Sequence, residues 1–285
     1  MQPGSPGIMA SMTEFAFRAF ELRGWSDEHT ATEYLDTFGQ VTVQAIPALL
    51  EAAQVGPGTR LLDVATGPGY VAGAAAERGA LVTGIDFSPT MVELAKHLYP
   101  PIDFREGDAQ ALEFEDASFD AVIAAYGMLH YSDPDLAVRE AFRVLKPGGI
   151  FAFSVWADPN SGSGMGYVLN AIQRRGRMDV PLPPGPPQFR FSDPKESERV
   201  LKVSGFADVG TKRVEQTWPA PSADAWLDGV RGGSVRLQAL LAAQTSDALH
   251  HIRDAVVEGL APYTAADGSV VVPMPALVAW GRKPA

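Results

Sequence analysis

The chain contains no cysteine. Disulfides, thiolate metal sites, cysteine nucleophiles and thiol redox switching go with it. Basic residues are scarce: 23 Lys+Arg stand against 34 Asp+Glu, a formal charge of −11. A nucleic-acid partner needs a basic face. The densest basic cluster, Arg174-Arg175-Gly176-Arg177, reads as the solvated end of a helix. No apolar run approaches the ~20 residues of a membrane-spanning helix. The opening residues lack the basic end and apolar stretch of a secretory signal, so residues 1–11 read as a disordered leader or a cloning scar. These absences point to a cytoplasmic protein with a small-molecule substrate, no nucleic acid and no membrane span. Monomer and homodimer both stay open, and no metal site is expected.

What is present is a β-α rhythm. With 285 residues, 46% of them hydrophobic, the chain has ample core for one α/β domain. Residues 12–54 read as helical, with Asp27 as an N-cap, and serve as a lid or as packing on a sheet. From residue 60 strand patterns fall at 61–64, 80–86, 102–105, 119–126 and 150–156. Helices lie between them, one capped by Ser88 before Pro89 and one opened by Asp133-Pro134. Such repetition implies a doubly wound parallel sheet with right-handed crossovers. After Trp156 the rhythm breaks into Gly-, Ser- and Pro-rich chain that cannot continue the sheet. Asp193-Pro194 opens a further helix ending at Gly205, and later strands are expected at 209–214 and 270–280. Residues 12–285 read as one domain, with its core at 40–156 and substrate-covering insertions at 157–191 and 215–262.

Three acids sit at or just beyond successive strand ends: Asp63, Asp86 and Asp108. The separation 86 − 63 = 23 is close to the ~20 residues expected between a glycine turn and a ribose-binding carboxylate. Asp86 can accept hydrogen bonds from both ribose hydroxyls. Asp108 can accept from an exocyclic amine, Ala109 can offer its N–H to a ring nitrogen, and Phe87 and Met91 can cover an adenine face. Any one of these acids alone reads as a cap or a solvated turn. Three in one frame favour a nucleoside site. The turn Ala65-Thr66-Gly67-Pro68-Gly69-Tyr70 carries a proline that removes a donor, which counts against a pyrophosphate. It is no NTPase phosphate loop either, having no Gly-Lys-Ser/Thr.

The stretches 62–69, 84–88, 107–112 and 145–149 resemble, in order and spacing, the motifs of class I S-adenosylmethionine-dependent methyltransferases. The branch they are similar to is the ubiquinone/menaquinone-biosynthesis type of small-molecule enzyme. The resemblance implies a Rossmann-like seven-stranded sheet of order 3-2-1-4-5-7-6, its last strand antiparallel. It also implies S-adenosylmethionine as cofactor, giving S-adenosylhomocysteine. Gly67 and Gly69 would pass the methionine moiety with Asp63 near its amino group. Asp86 would hold the ribose, and Asp108 and Ala109 the adenine. Ala125 and Tyr126 would supply backbone contacts. Ala65 departs from the family, which often has glycine there.

Methyl transfer from a sulfonium is an in-line displacement, so alignment and water exclusion matter most. A hydroxyl acceptor calls for a base. His130 is the best-placed candidate, as base or as cofactor contact, with Tyr34, His29 and Tyr131 behind it; His97, His250 and His251 read as surface residues. Trp156, Met165, Tyr167, Phe189, Phe191, Trp218 and Trp226 are candidates to line an apolar chamber or to pack the core. The expected reaction is O- or C-methylation of a quinone-like or natural-product acceptor in secondary metabolism. Three rivals stand beside it: a non-methylating use of the same site, such as cyclisation or a binding scaffold, a nicotinamide oxidoreductase, and a pure interaction module that binds no ligand.

Overall fold

The computed structural model describes residues 6–285, with side chains from Glu14 onward. Among the described residues four α-helices precede the first strand: α1 (Pro6–Trp25), α2 (Glu28–Asp36), α3 (Phe38–Thr42) and α4 (Ile46–Ala52). The leader expected over residues 1–11 is helical from Pro6 on, and its first five residues lie outside the described ones. The alternating region runs β1 (Arg60–Val64), α5 (Tyr70–Glu77), β2 (Leu81–Asp86), α6 (Pro89–Leu98), β3 (Asp103–Glu106), β4 (Phe119–Ala125), α7 (Pro134–Val144) and β5 (Leu145–Trp156). The remainder runs α8 (Gly164–Arg175), α9 (Pro194–Val203), β6 (Ala207–Val214), β7 (Thr217–Ala220), α10 (Ala223–Gly232), α11 (Val235–Ala242), α12 (Ser246–Leu260), β8 (Val270–Pro273) and β9 (Ala276–Arg282).

The local signals act where the sequence puts them. Asp27, Ser88, Asp133 and Asp193 each accept a backbone N–H of the helix they open, from Thr30, Met91, Leu136 and Lys195. Pro89, Pro134 and Pro194 follow the last three caps, at a position where a missing N–H costs nothing. Leu61, Leu62, Ala121, Val122 and Ile123 are wholly buried, as strands covered on both faces must be.

Seven strands form one sheet in the order β3-β2-β1-β4-β5-β9-β6. β9 runs antiparallel to both β5 and β6, and the pairs from β3 to β5 are parallel. This is the Rossmann-like order the resemblance implies. The strand expected over 270–280 is two strands. Pro275 has no N–H to give a ladder, and Met274 N turns to donate to the carbonyl of Gln216. β8 therefore leaves the main sheet and pairs with β7, a strand the sequence pattern did not announce, in a separate two-stranded ribbon. That ribbon puts Trp218 beside Trp226 and Phe38, joining the post-β5 helices to α3 in one apolar cluster. The carboxyl ends of β1, β2 and β4 face a cavity, which residues of α1, α2 and α3 and of the link between α10 and α11 also line.

Candidate functional site

The turn after β1 is built from unusual backbone. Ala65, Gly67 and Gly69 all have positive φ, at 54°, 52° and 85°. A side chain in that region costs roughly 1–2 kcal/mol, so Ala65 is strained where glycine would not be. This is the physical content of the family's preference at that position. A Cβ placed on Gly67 would meet nothing within 4 Å, because Gly67 faces the cavity. A Cβ on Gly69 would lie 2.9 Å from Phe104 and 3.1 Å from Tyr99. Gly69 therefore faces the packing beneath the turn, away from the cavity.

Asp63 is also off the cavity wall. It is fully buried and accepts from Thr66 Oγ1 at 2.6 Å and from Ala72 N at 3.1 Å, tying the turn to the start of α5. Its other oxygen has no hydrogen-bond partner. Burial pushes this carboxyl up to about 7, more than the two hydrogen bonds pull it down.

Asp86 stands at the end of β2 and lines the cavity. One oxygen accepts from Gly67 N and the other from Ser88 N, both at 2.9 Å. Each oxygen keeps a lone-pair direction for a ligand hydroxyl. Burial pushes Asp86 up to about 6 against those bonds. Phe87, Met91, Asp108 and Ala109 line the same region. Asp108 is not free there: Arg18 of α1 lies 2.9 Å from one oxygen, and Gln110 N donates to the other at 2.9 Å.

Ala65, Ala125, Tyr126, His130 and Tyr34 all line the cavity, which encloses about 1070 Å³ including its open mouth. Its aromatic lining falls into two groups of rings. Tyr126 lies 4.4 Å from Trp156 between ring centroids, Trp156 lies 5.6 Å from Phe38, and Trp25 lies 5.6 Å from Tyr34 and 5.2 Å from His130. Tyr126 Oη donates to Gln216 at 2.7 Å, which pins that wall to the chain before β7. Tyr34 Oη shares a 3.0 Å hydrogen bond with Thr42, and burial pushes it up to about 12, so it stays a phenol at neutral pH. Trp156 and Met165 line the cavity; Tyr167, Phe189, Phe191, Trp218 and Trp226 pack elsewhere in the core. His29, His97, His250 and His251 are exposed, as are Arg174 and Arg175 at the end of α8. Tyr131 lines the cavity, with its hydroxyl buried and unpartnered.

Glu21, Arg18 and Arg236 were not singled out from the sequence. Glu21 is the most telling of them: fully buried, it lies 2.8 Å from both His130 Nδ1 and Arg236 Nε. A signal existed. Phe17, Glu21 and Trp25 recur at i, i+4 and i+8, which sets an acid on an apolar helix stripe.

A sheet of this order, with an acid at the tip of β2 beside a glycine turn, defines the Rossmann-like methyltransferase fold. Residues 62–153 match the family model described as a methyltransferase domain. Over 114 residues the chain is 40% identical to a demethylmenaquinone methyltransferase of Renibacterium salmoninarum, covering 40% of this chain and 48% of that protein. Over 196 residues it is 33% identical to a 2-methyl-6-phytyl-1,4-hydroquinone methyltransferase of Synechocystis, covering 65% and 57%. The chain thus spans about half the length of these curated relatives. A solved phosphoethanolamine N-methyltransferase 2 of Haemonchus contortus, in complex with phosphomonomethylethanolamine and S-adenosylhomocysteine, shares the fold at a TM-score of 0.57 and 21% identity. That likeness covers 94% of this chain and 60% of that one.

Proposed function

We propose that the protein transfers a methyl group from S-adenosylmethionine to a small aromatic acceptor of the quinone or hydroquinone kind. The observation that carries the reading is Asp86, which lines the cavity with its carboxylate held by Gly67 N and Ser88 N. The residues fit such a ligand. Gly67 leaves open room against the turn, Phe87 and Met91 offer apolar faces beside Asp86, and Ala109 lines the same end. Asp86 would hold the ribose, with Asp108 and Ala109 at the adenine. The unpartnered oxygen of Asp63, just beneath the turn, would act on the methionine end from behind the wall, the cofactor's ammonium favouring the charged form that burial disfavours. When bound, the cofactor supplies an electrophilic methyl on a sulfonium. The chain's own part is to align the acceptor, exclude water and receive any proton released.

The aromatic wall formed by Trp25, Phe38, Tyr126 and Trp156 supports a flat apolar acceptor. The quinone names of the two relatives point the same way. Pro68 on the cavity wall still counts against a dinucleotide, because a pyrophosphate would want the donor that proline lacks. A cytoplasmic setting, a place in secondary metabolism, and residues 157–191 and 215–262 as cover for the acceptor belong to the same proposal. Gln188, Gly233 and Ser234, from those segments, support that last part by lining the cavity. Among the described residues no helix is long and apolar enough to cross a membrane.

The test is calorimetry with S-adenosylhomocysteine on the wild type and on Asp86→Ala. Two charge-assisted hydrogen bonds at about 1.5 kcal/mol each make a loss of roughly 100-fold the expected result. No binding by the wild type would end the proposal.

A further inference from the structure

Against His130 on the cavity wall lies a charged knot that alignment of donor and acceptor does not require. Glu21 of α1 accepts from Arg236 Nε through one oxygen, and its other oxygen lies against His130 Nδ1, each at 2.8 Å. Arg236 also donates to the carbonyls of Leu129 and Pro186, at 2.7 and 3.3 Å. Burial pushes the Glu21 carboxyl up, but His130 and Arg236 together outweigh it and leave the group below its ordinary value. Glu21 is therefore ionised and can only accept. His130 Nδ1 faces this carboxylate at 2.8 Å and the indole N–H of Trp25 at 3.3 Å. One ring nitrogen cannot donate to the first and accept from the second. The shorter, charge-assisted contact decides, and the hydrogen sits on Nδ1. The lone pair is then on Nε2. His130 lines the cavity, and Nε2 has no hydrogen-bond partner among the described residues.

We propose that Glu21 is a positioning residue that holds His130 in the Nδ1–H form, so that Nε2 takes the proton of a phenolic hydroxyl on the acceptor. This rests on the methyl-transfer reading and narrows it to O-methylation of a hydroxyarene. In that step a lone pair of the acceptor oxygen forms the new O–C bond. The S–C pair stays on sulfur as a neutral thioether, and the hydroxyl proton passes to Nε2. The resulting imidazolium faces the Glu21 carboxylate, which Arg236 keeps from taking the proton itself. Trp25, against both His130 and Tyr34, supplies a flat face for such an arene.

The experiment uses the full chain with S-adenosylhomocysteine. Nitrogen-15 spectra, assigned with His130→Gln, read the tautomer of His130. The absorbance of added 4-nitrophenol, at a pH where the free phenol is mostly neutral, reads proton transfer. The expected result is the Nδ1–H tautomer and a phenolate band in the wild type. Glu21→Gln is expected to lower the band roughly tenfold or more, and Glu21→Asp to restore part of it. Calorimetry with S-adenosylhomocysteine on each variant separates this from misfolding. An Nε2–H tautomer in the wild type overturns the proposal, as does a cavity that ignores 4-nitrophenol or keeps it neutral, while cofactor binding leaves methyl transfer standing. Failure of the wild type to bind S-adenosylhomocysteine overturns the methyl-transfer reading itself.

Discussion

Asp86 and Asp63 are both buried acids at the end of a parallel strand, yet they do different work. Asp86 reaches the cavity and Asp63 ties the turn to a helix. Sequence spacing made both legible as acids at strand ends. It did not separate them, because the direction of a side chain at a strand end depends on how the next turn folds. Asp86 also carries a pH prediction. Burial raises it to about 6, whereas hydrogen bonds from ribose hydroxyls favour its charged form. Binding then releases a proton wherever Asp86 is protonated in the free protein. Affinity for S-adenosylhomocysteine is expected to level off above about pH 6 and to fall by up to about tenfold per pH unit below it. Calorimetry from roughly pH 5 to 8 measures this, with Asp86→Asn as a weak, flat control. A wild-type affinity that ignores pH would refute the assignment.

At the scale of elements, the glycine turn divides into a ligand side and a packing side. Gly67→Ala meets open cavity and bears only its positive φ, so stability is expected to fall by about 1–2 kcal/mol while cofactor affinity drops tenfold or more. Gly69→Ala meets Phe104, Tyr99 and Ala95 as well as a positive φ. It is expected to cost about 1–3 kcal/mol of stability from overpacking in addition to the φ cost, with affinity retained by the folded fraction. Denaturant melts beside calorimetry distinguish the two patterns. Reversed patterns would mean that the turn presents its other face. Element starts were legible because Asp27, Ser88, Asp133 and Asp193 are local caps. The split between β8 and β9 was not, because the partner of β8 is β7, some fifty residues earlier in the chain.

For the whole molecule, the two raised acids set a slope of stability with pH. Both exceed the unfolded value of 3.8, so the folded protein binds more protons than the unfolded chain between about pH 4 and 7. Their contribution is complete below that window and is lost as pH rises through it, at no more than about 1.4 kcal/mol per pH unit for each proton. Glu196, lowered to about 2 chiefly by its hydrogen bond with Arg199, acts in the opposite sense only at more acid pH. The melting temperature of the ligand-free protein is therefore expected to decline from about pH 5 to pH 7, and Asp63→Asn to flatten the decline. A melting temperature rising over this range in the wild type, unchanged by Asp63→Asn, would contradict the burial argument.

The β-α rhythm, the helix starts, the turn and the acid at the tip of β2 were readable from residue order alone. Each depends on neighbours a few residues apart, or on the short fixed reach from one strand to the next. That Asp63 and Gly69 lie beneath the turn, that Arg18 pairs with Asp108, and that Glu21 meets His130 and Arg236 across 109 and 215 residues of chain follows from the packed fold alone. Contacts at such separations have no periodicity to announce them. They arise when helices before and after the sheet are packed over the same carboxyl edge, and there a buried charge must find its partners wherever the fold brings them.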